Sequence, residues 1–189
     1  MKTQVFKLLA LSTIVALLSS CGMGNAGVTN EPDDSNEQRV SEGRISIAVP
    51  KQWSKNPDFE PTLTGFTCSW ANSQEEPTDI VRMSSDHKKG PTAEATMGYF
   101  EANAQFGSTY GREFKLGESK DLDIENATQA KLTTWTTNEK KGRTLRGAWV
   151  FVSTEGDDAV AGVEIMALNL SDDEMNAMID SIKFDPKKQ

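Results

Sequence analysis

The sequence contains very few residues that bind transition metals or serve as an imidazole base. Its 189 residues include two cysteines and one histidine, which are Cys21, Cys68 and His87. Structural zinc is held by about four Cys or His ligands in close spacing, so no metal site is expected. His87 lies in the polar turn 86–90, where we expect a solvated ring without a catalytic role. The sequence nominates no other catalytic residue.

The chain also lacks phosphate-binding glycine patterns and an excess of positive charge. Neither Gly-x-Gly-x-x-Gly nor Gly-Lys-Ser/Thr opens a helical pattern. Asp and Glu number 28 against 20 Lys and Arg, for a net charge of −8. Recognition of nucleic acid needs clustered cations. We therefore expect no nucleic-acid partner and no bound cofactor.

Long apolar runs are scarce, and the one at the amino end is too short to remain in a membrane. Lys2 and Lys7 precede the apolar run 8–18, whereas a spanning helix needs roughly 20 apolar residues. Small residues follow the run directly. Residues 1–20 are therefore predicted to be an export signal.

Leu18-Ser19-Ser20-Cys21 resembles the bacterial lipobox. The resemblance implies cleavage before Cys21 and a covalent lipid with palmitate-type chains on its thiol. Two or three acyl chains make release from a bilayer rare. We expect an extracytoplasmic protein anchored to the bacterial cell membrane, or to an outer membrane if the host has one.

The residues after Cys21 divide into a tether, one domain and a short tail. Residues 21–43 are rich in Gly, Asn and acidic side chains, which cannot bury enough surface to fold, so a flexible tether is expected. Residues 44–185 have the length of one domain, and 186–189 form the tail. With Cys21 lipidated, Cys68 has no disulfide partner. Its position in a strand pattern favours a buried, inert thiol over a reactive one.

Hydrophobic periodicity predicts strands near 44–50, 63–70, 79–85, 122–124, 127–137, 144–154 and 159–168. Helical spacing follows Pro91, where Ala93, Met97, Phe100 and Ala104 form one stripe. A second helix is marked by the capping-box pair Ser171 and Glu174. Short turns between the later strands favour antiparallel pairing. The predicted fold is α+β, with an antiparallel sheet of about six strands flanked by helices.

Two short motifs and this order of elements resemble the PsbP-like superfamily, which includes a nuclear Ran-binding protein and bacterial lipoproteins of the LpqN type. The motifs are the first strand with its following turn, Ile47 to Trp53, and the carboxyl end, Ile179 to Phe184. The resemblance implies an α/β/α sandwich and, for exported bacterial members, a noncatalytic accessory or binding role. Among structural residues, it places Pro50 and Trp53 at the end of the first strand and Ile182 and Phe184 in the closing contacts.

Tryptophans are the candidate ligand-binding residues, because an aromatic ring with one polar edge suits both a core and a groove. Trp53 and Trp149 favour the core. Trp135 alternates with polar residues, which leaves open a core position or a partly exposed binding position, and Trp70 is the second candidate.

Three functions remain open. A noncatalytic module that binds an envelope component or protein partner is the leading hypothesis. A carrier of a small apolar ligand and an extracytoplasmic enzyme of unknown type are the alternatives. A filled interior with an exposed aromatic patch would favour partner binding. An apolar cavity would favour a carrier, and an acidic cleft would favour an enzyme.

Overall fold

A computed structural model describes residues 36–62, 64–107, 110–111, 113–138, 142–156 and 159–188. The predicted signal, Cys21 and the first part of the tether lie outside the described residues. The described strands are β1 (Glu37–Glu42), β2 (Ile45–Pro50), β3 (Ser54–Lys55), β4 (Cys68–Ala71), β5 (Asp79–Ser84), β6 (Lys115–Asp121), β7 (Gln129–Asn138), β8 (Thr144–Ser153), β9 (Val160–Ala167) and β10 (Lys183–Phe184). The described helices are α1 (Ala93–Phe106) and α2 (Asp172–Asp180).

The strands form two antiparallel sheets. The large sheet has seven strands in the order β3-β4-β5-β9-β8-β7-β6, and the small one has the order β1-β2-β10. The predicted α+β class and antiparallel pairing are confirmed. Ten strands are described, whereas about six were expected. The short strands β3 and β10 have too few residues for a periodic pattern, and β1 and β6 lie in segments predicted to be irregular.

The second helix begins as its capping-box signal predicts, and the first begins at Ala93, two residues after Pro91. The Thr92 hydroxyl accepts a hydrogen bond from the Ala95 N–H at the start of α1. Ser171 and Glu174 form the expected reciprocal capping box at the start of α2. Each cap satisfies an N–H that has no partner inside its helix.

The large sheet is covered on both faces, as the apolar pattern of its central strands predicts. Trp149 and Phe151 of β8 pack on one face with Phe100 of α1. Alternate residues of the same strand, such as Val150, belong to a second cluster with β2 and α2 on the other face. All eight residues of β9 are buried. Because alternate residues of a strand point to opposite faces of the sheet, each central strand contributes side chains to both apolar clusters.

Two strands lie where the sequence predicts irregular chain. Glu37–Glu42 pairs along its whole length with β2, so the prediction of a flexible tether is wrong for these six residues. Lys115–Asp121 pairs with β7, whereas the sequence predicts an exposed connection there and a strand only near Leu122. Both are edge strands, with six of seven residues exposed in Lys115–Asp121 and three of six in Glu37–Glu42, where Val40 is buried. Backbone pairing holds them, and it leaves no apolar alternation to detect.

Among the described residues, neither helix is both long and apolar enough to cross a bilayer.

Candidate protein-binding surface

Trp135 lies in the core, so the partly exposed position considered for it is wrong. Its side chain is 1% exposed and packs against Tyr110, Phe114 and Trp149. The cross-strand partner of Trp135 is Gly147, where an added Cβ would overlap the indole ring. The glycine leaves the space that the ring fills. The polar residues that alternate with Trp135 along β7 give no sign of this space.

Trp70, the other candidate, lies in the cluster on the opposite face of the sheet. It is buried, and the Lys55 ammonium stands 5.1 Å from its ring centroid. The two candidate tryptophans are therefore not brought together into one groove.

Cys68 is buried, as predicted, and is 3% exposed. Burial, and then the nearby Glu42, raise the pKa of its thiol to about 12. A thiol with such a pKa is protonated at neutral pH and is a poor nucleophile.

His87 is fully buried, so the expectation of a solvated ring is wrong. Its ring centroid lies 5.1 Å from those of Phe66 and Phe100 and 5.2 Å from that of Phe151. Neither ring nitrogen has a hydrogen-bond partner among the described residues. The backbone N–H of His87 donates a hydrogen bond to the backbone carbonyl of Val160, and this bond holds the polar turn against the sheet. The ring thereby enters an aromatic cage under α1.

Glu164, in the middle of β9, is also fully buried, but it is well supplied with partners. Its carboxylate accepts from the Tyr110 hydroxyl at 2.7 Å, Trp149 Nε1 at 3.0 Å and Arg82 Nη1 at 2.9 Å. Burial, and then the Glu164 carboxylate, raise the pKa of Tyr110, which keeps its hydroxyl protonated as a donor. The carboxylate has no solvent-exposed surface, so this network stabilises the fold and offers nothing to a ligand.

The described residues include no group of three or more His, Cys, Asp or Glu side chains that could hold a metal ion.

The outward side of α1 carries a second apolar stripe that the sequence analysis missed. Ala95, Tyr99, Ala102 and Phe106 follow one another at steps of four, three and four, and all four are exposed. We call these residues the outer stripe. At about 100° per residue they share one side of the helix, opposite the buried Ala93, Met97, Phe100 and Ala104.

Phe106 is the most exposed large apolar side chain described, with 89% of its surface in solvent, and Tyr99 is exposed to 38%. Gly98, which precedes Tyr99, is open, with no atom within 4 Å of an added Cβ. Isolated exposed apolar residues are common on monomers, but contiguous apolar patches mark interaction sites. The same 4-3-4 spacing that reveals the inner stripe reveals this one once both sides of the helix are considered.

Charge around the outer stripe is sparse. The only charged residues of α1 are Glu94 and Glu101, which lie along one flank. The Glu101 carboxylate is turned toward the sheet, where it accepts from Thr133 at 2.8 Å and Ser119 at 3.2 Å. Before the helix, the Lys89 ammonium lies 5.4 Å from the centroid of the Tyr99 ring.

A groove of about 430 Å³ lies beside this acidic flank, between α1 and strands β6 and β7. Its walls mix charged and apolar side chains, including Glu94, Met97, Lys131 and Leu132. The Lys131 ammonium pairs with Asp121 at 2.7 Å. The groove is thus an open depression next to the stripe, lined by both acidic and basic side chains.

The fold places the chain among α+β proteins with a covered antiparallel sheet, and solved structures share the arrangement at low sequence identity. A crystal structure from Bacteroides thetaiotaomicron superposes with a TM-score of 0.50 and 11% identity, covering 81% of this chain and 50% of that one. This chain therefore spans half the length of the Bacteroides protein. Similarity at this identity concerns the fold alone.

Two further similar structures are the Saccharomyces cerevisiae Ran-binding protein Mog1p and LpqN, which is involved in cell envelope biogenesis of Mycobacterium tuberculosis. Mog1p has a TM-score of 0.47 and 12% identity, covering 79% of this chain and 95% of its own. LpqN has a TM-score of 0.42 and 15% identity, covering 79% of this chain and 91% of its own. No protein-family model and no curated protein matches the chain.

Proposed function

We propose that this protein is a lipid-anchored extracytoplasmic module that binds a protein partner through the outer stripe of α1. The observation that carries the proposal is the exposure of Phe106, at 89%, within a continuous apolar stripe. Removing apolar surface from water contributes about 25 cal/mol per Å². A partner that covers the stripe gains this contribution without burying a charge from the stripe itself.

The proposed location rests on the lipobox resemblance at Cys21. A thioether-linked lipid would keep an acidic, water-soluble domain at a bilayer surface. The intended partner is then an envelope protein within reach of the tether.

The carrier alternative gains no support from the space beside the sheet. Aromatic side chains occupy the region between α1 and the sheet, where Phe100 contacts Trp149 and Phe151 at centroid distances of 5.4 and 4.7 Å. A filled interior with an exposed aromatic patch is the combination expected of a partner-binding module.

Anchoring is tested by Cys21→Ser. The variant should lose incorporation of radiolabelled palmitate and accumulate as a larger, uncleaved precursor. Cys68→Ser is the matched control, because its buried thiol has no place in lipidation and its label should persist. Equal labelling of Cys21→Ser and the unchanged chain would remove the anchor from the proposal.

Partner binding is tested by a photoreactive phenylalanine analogue placed at Ala102, in the middle of the outer stripe. Irradiation in the native envelope should give a discrete protein adduct, and Phe106→Glu should reduce its yield at least tenfold. The same analogue at the exposed Asp173 of α2 serves as the control. Equal adducts at both positions, or none at Ala102, would show that α1 is not the binding surface.

A further inference from the structure

We infer that the partner of the outer stripe is a second copy of this chain, with the two copies of α1 packed antiparallel. The inference rests on the proposed function, because it names the partner that the same surface would bind. It goes further in fixing the direction of the two helices and the residues that meet.

The sizes of the four side chains make the stripe complementary to itself only in the antiparallel direction. When the order is reversed, Ala95 faces Phe106 of the second copy and Tyr99 faces its Ala102. Every large ring then meets a small methyl group, which is the alternation that lets two surfaces interdigitate. In a parallel pair, Phe106 would meet Phe106 and Ala95 would meet Ala95, which leaves rings crowded at one end and a gap at the other.

The two layers next to the middle of the pair each combine one Tyr99 ring with Ala102 of the other copy. Gly98 precedes Tyr99 in the chain, and the space outside it is open. The small side chain of Ala102 leaves room for the Tyr99 ring that faces it.

Charge opposes this pairing, because a twofold axis brings the same side of each helix together. Lys89 lies over Tyr99, which in the antiparallel pair faces Ala102 of the other α1. Glu101 of one copy meets Glu101 of the other near the twofold axis, and the two carboxylates repel each other. Their hydrogen bonds to Thr133 and Ser119 hold the carboxylates toward the sheet, which lessens the repulsion, and salt should screen the rest.

The contact is too small for a tight dimer in free solution. Fourteen residues give a helix about 21 Å long, and one such helix pair falls short of the roughly 1,200 Å² that stable interfaces bury. Confinement on a membrane raises the effective concentration of the copies. The lipidated chain should therefore form the pair on a bilayer, whereas the unlipidated chain at the same overall concentration should remain monomeric in solution.

Cysteine crosslinking of the full lipidated chain in phosphatidylcholine vesicles tests the arrangement. Cys68 is buried and Cys21 is expected to be a thioether, so an introduced cysteine reacts alone. In the antiparallel pair, positions 102 of the two copies are offset by about 4.5 Å along the axis, and positions 95 by about 16.5 Å. Mild oxidation should therefore crosslink Ala102→Cys with itself at least tenfold faster than Ala95→Cys with itself. A mixture of Ala95→Cys and Phe106→Cys should give the mixed dimer.

Two controls separate pairing from chance collision and from misfolding. Asp173→Cys on α2 reports the collision rate, and Ala102→Cys must exceed it. Adding Phe106→Glu to Ala102→Cys should return crosslinking to that background, whereas Gln105→Glu, which adds the same charge off the stripe, should not. Far-UV circular dichroism and the unfolding midpoint should be unchanged in both charge variants.

Other outcomes overturn the inference in distinguishable ways. Fast self-crosslinking of Ala95→Cys would indicate a parallel pair. A dye on Phe106→Cys that is quenched by brominated lipid would indicate that the stripe lies on the bilayer. Background crosslinking in vesicles, together with an Ala102 adduct to a different protein in the native envelope, would reject self-association and leave the proposed function standing. Background crosslinking in vesicles with no Ala102 adduct in the native envelope would reject both self-association and the proposed function.

Discussion

Glu164 and His87 lie on the same side of the large sheet, both without solvent exposure, yet their surroundings are opposite in kind. Glu164 accepts three hydrogen bonds, one of them from a guanidinium group. His87 is caged by three phenylalanine rings and has no hydrogen bond to either ring nitrogen among the described residues. Burial penalises a charged group heavily unless it is paired, whereas a histidine escapes by giving up its proton.

The comparison shows how a buried charge is stabilised on the α1 side of the sheet: Glu164 is charged where three hydrogen-bond donors surround its carboxylate. Arg82 and Trp149 are the cross-strand neighbours of Glu164 on either side, so sheet register itself delivers two of the three donors. Within the described part of the chain, no such donor or acceptor reaches the His87 ring. Its ring is accommodated because Gly65 lies against it, where an added Cβ would come within 2.9 Å of Cε1.

The largest expected effect comes from removing the Glu164 carboxylate. Glu164→Leu would leave Arg82, Tyr110 and Trp149 without their acceptor, and we expect the free energy of unfolding to fall by about 4 kcal/mol. Urea denaturation at pH 7.5 measures this loss. It should exceed that of Tyr110→Phe, which removes a single donor and should cost about 1 to 2 kcal/mol.

Glu164→Gln sharpens the result, because it keeps one acceptor oxygen for Tyr110 and Trp149 while removing the charge that pairs with Arg82. Its cost should lie between those of the other two variants. If Glu164→Leu lowers the free energy of unfolding by less than 1 kcal/mol, the convergence of donors does not stabilise the fold and the contrast with His87 fails.

The second expected effect is a dependence of stability on pH that arises from His87. Burial, and then Lys89, lower the pKa of its ring from 6.5 to about 4, although Asp86 raises it slightly. As the pH falls below 6.5 the unfolded chain takes up a proton that the folded chain does not. Stability is therefore complete above pH 6.5 and decreases toward pH 4, by about 3 kcal/mol in all.

Urea midpoints measured between pH 7.5 and 4.5 test this dependence, with His87→Leu as the control that cannot titrate. The decrease of the urea midpoint between pH 7.5 and 4.5 should disappear in His87→Leu. For Asp79, burial raises the pKa, but the N–H groups of residues 168–170 outweigh it, so the net direction is down and its titration falls below this window. An unchanged slope in His87→Leu would place the titrating group elsewhere.

Much of the fold could be predicted because it depends on local patterns. The capping box of α2, the inner stripe of α1 and the two-faced apolar strands β8 and β9 are all visible in the printed sequence. Edge strands such as β1 and β6 could not be predicted in this way. Their stability comes from backbone hydrogen bonds to a neighbour, which any side-chain sequence can make.

The candidate site was harder to predict than the fold. The polar neighbours of Trp135 and the polar turn around His87 indicate exposure, yet both side chains are buried by distant residues, Gly147 and the phenylalanine cage. The outer stripe was available in the sequence at helical spacing, but one helix carrying two apolar stripes has a weak amphipathic signal. Only knowledge of which stripe faces the sheet reveals that the other is exposed.

The sequence by itself determined the scarcity of metal-binding and catalytic side chains, the lipobox-like signal and the hydrophobic period of each long helix and strand, because these depend on composition and near neighbours. Tertiary structure decided which of the two stripes of α1 is buried. It also decided that Trp135 lies opposite a glycine and that, among the residues that the structure describes, hydrogen-bond donors surround Glu164 but not His87. Those outcomes depend on residues far apart in the chain that meet only when the strands align, so no local pattern contains them.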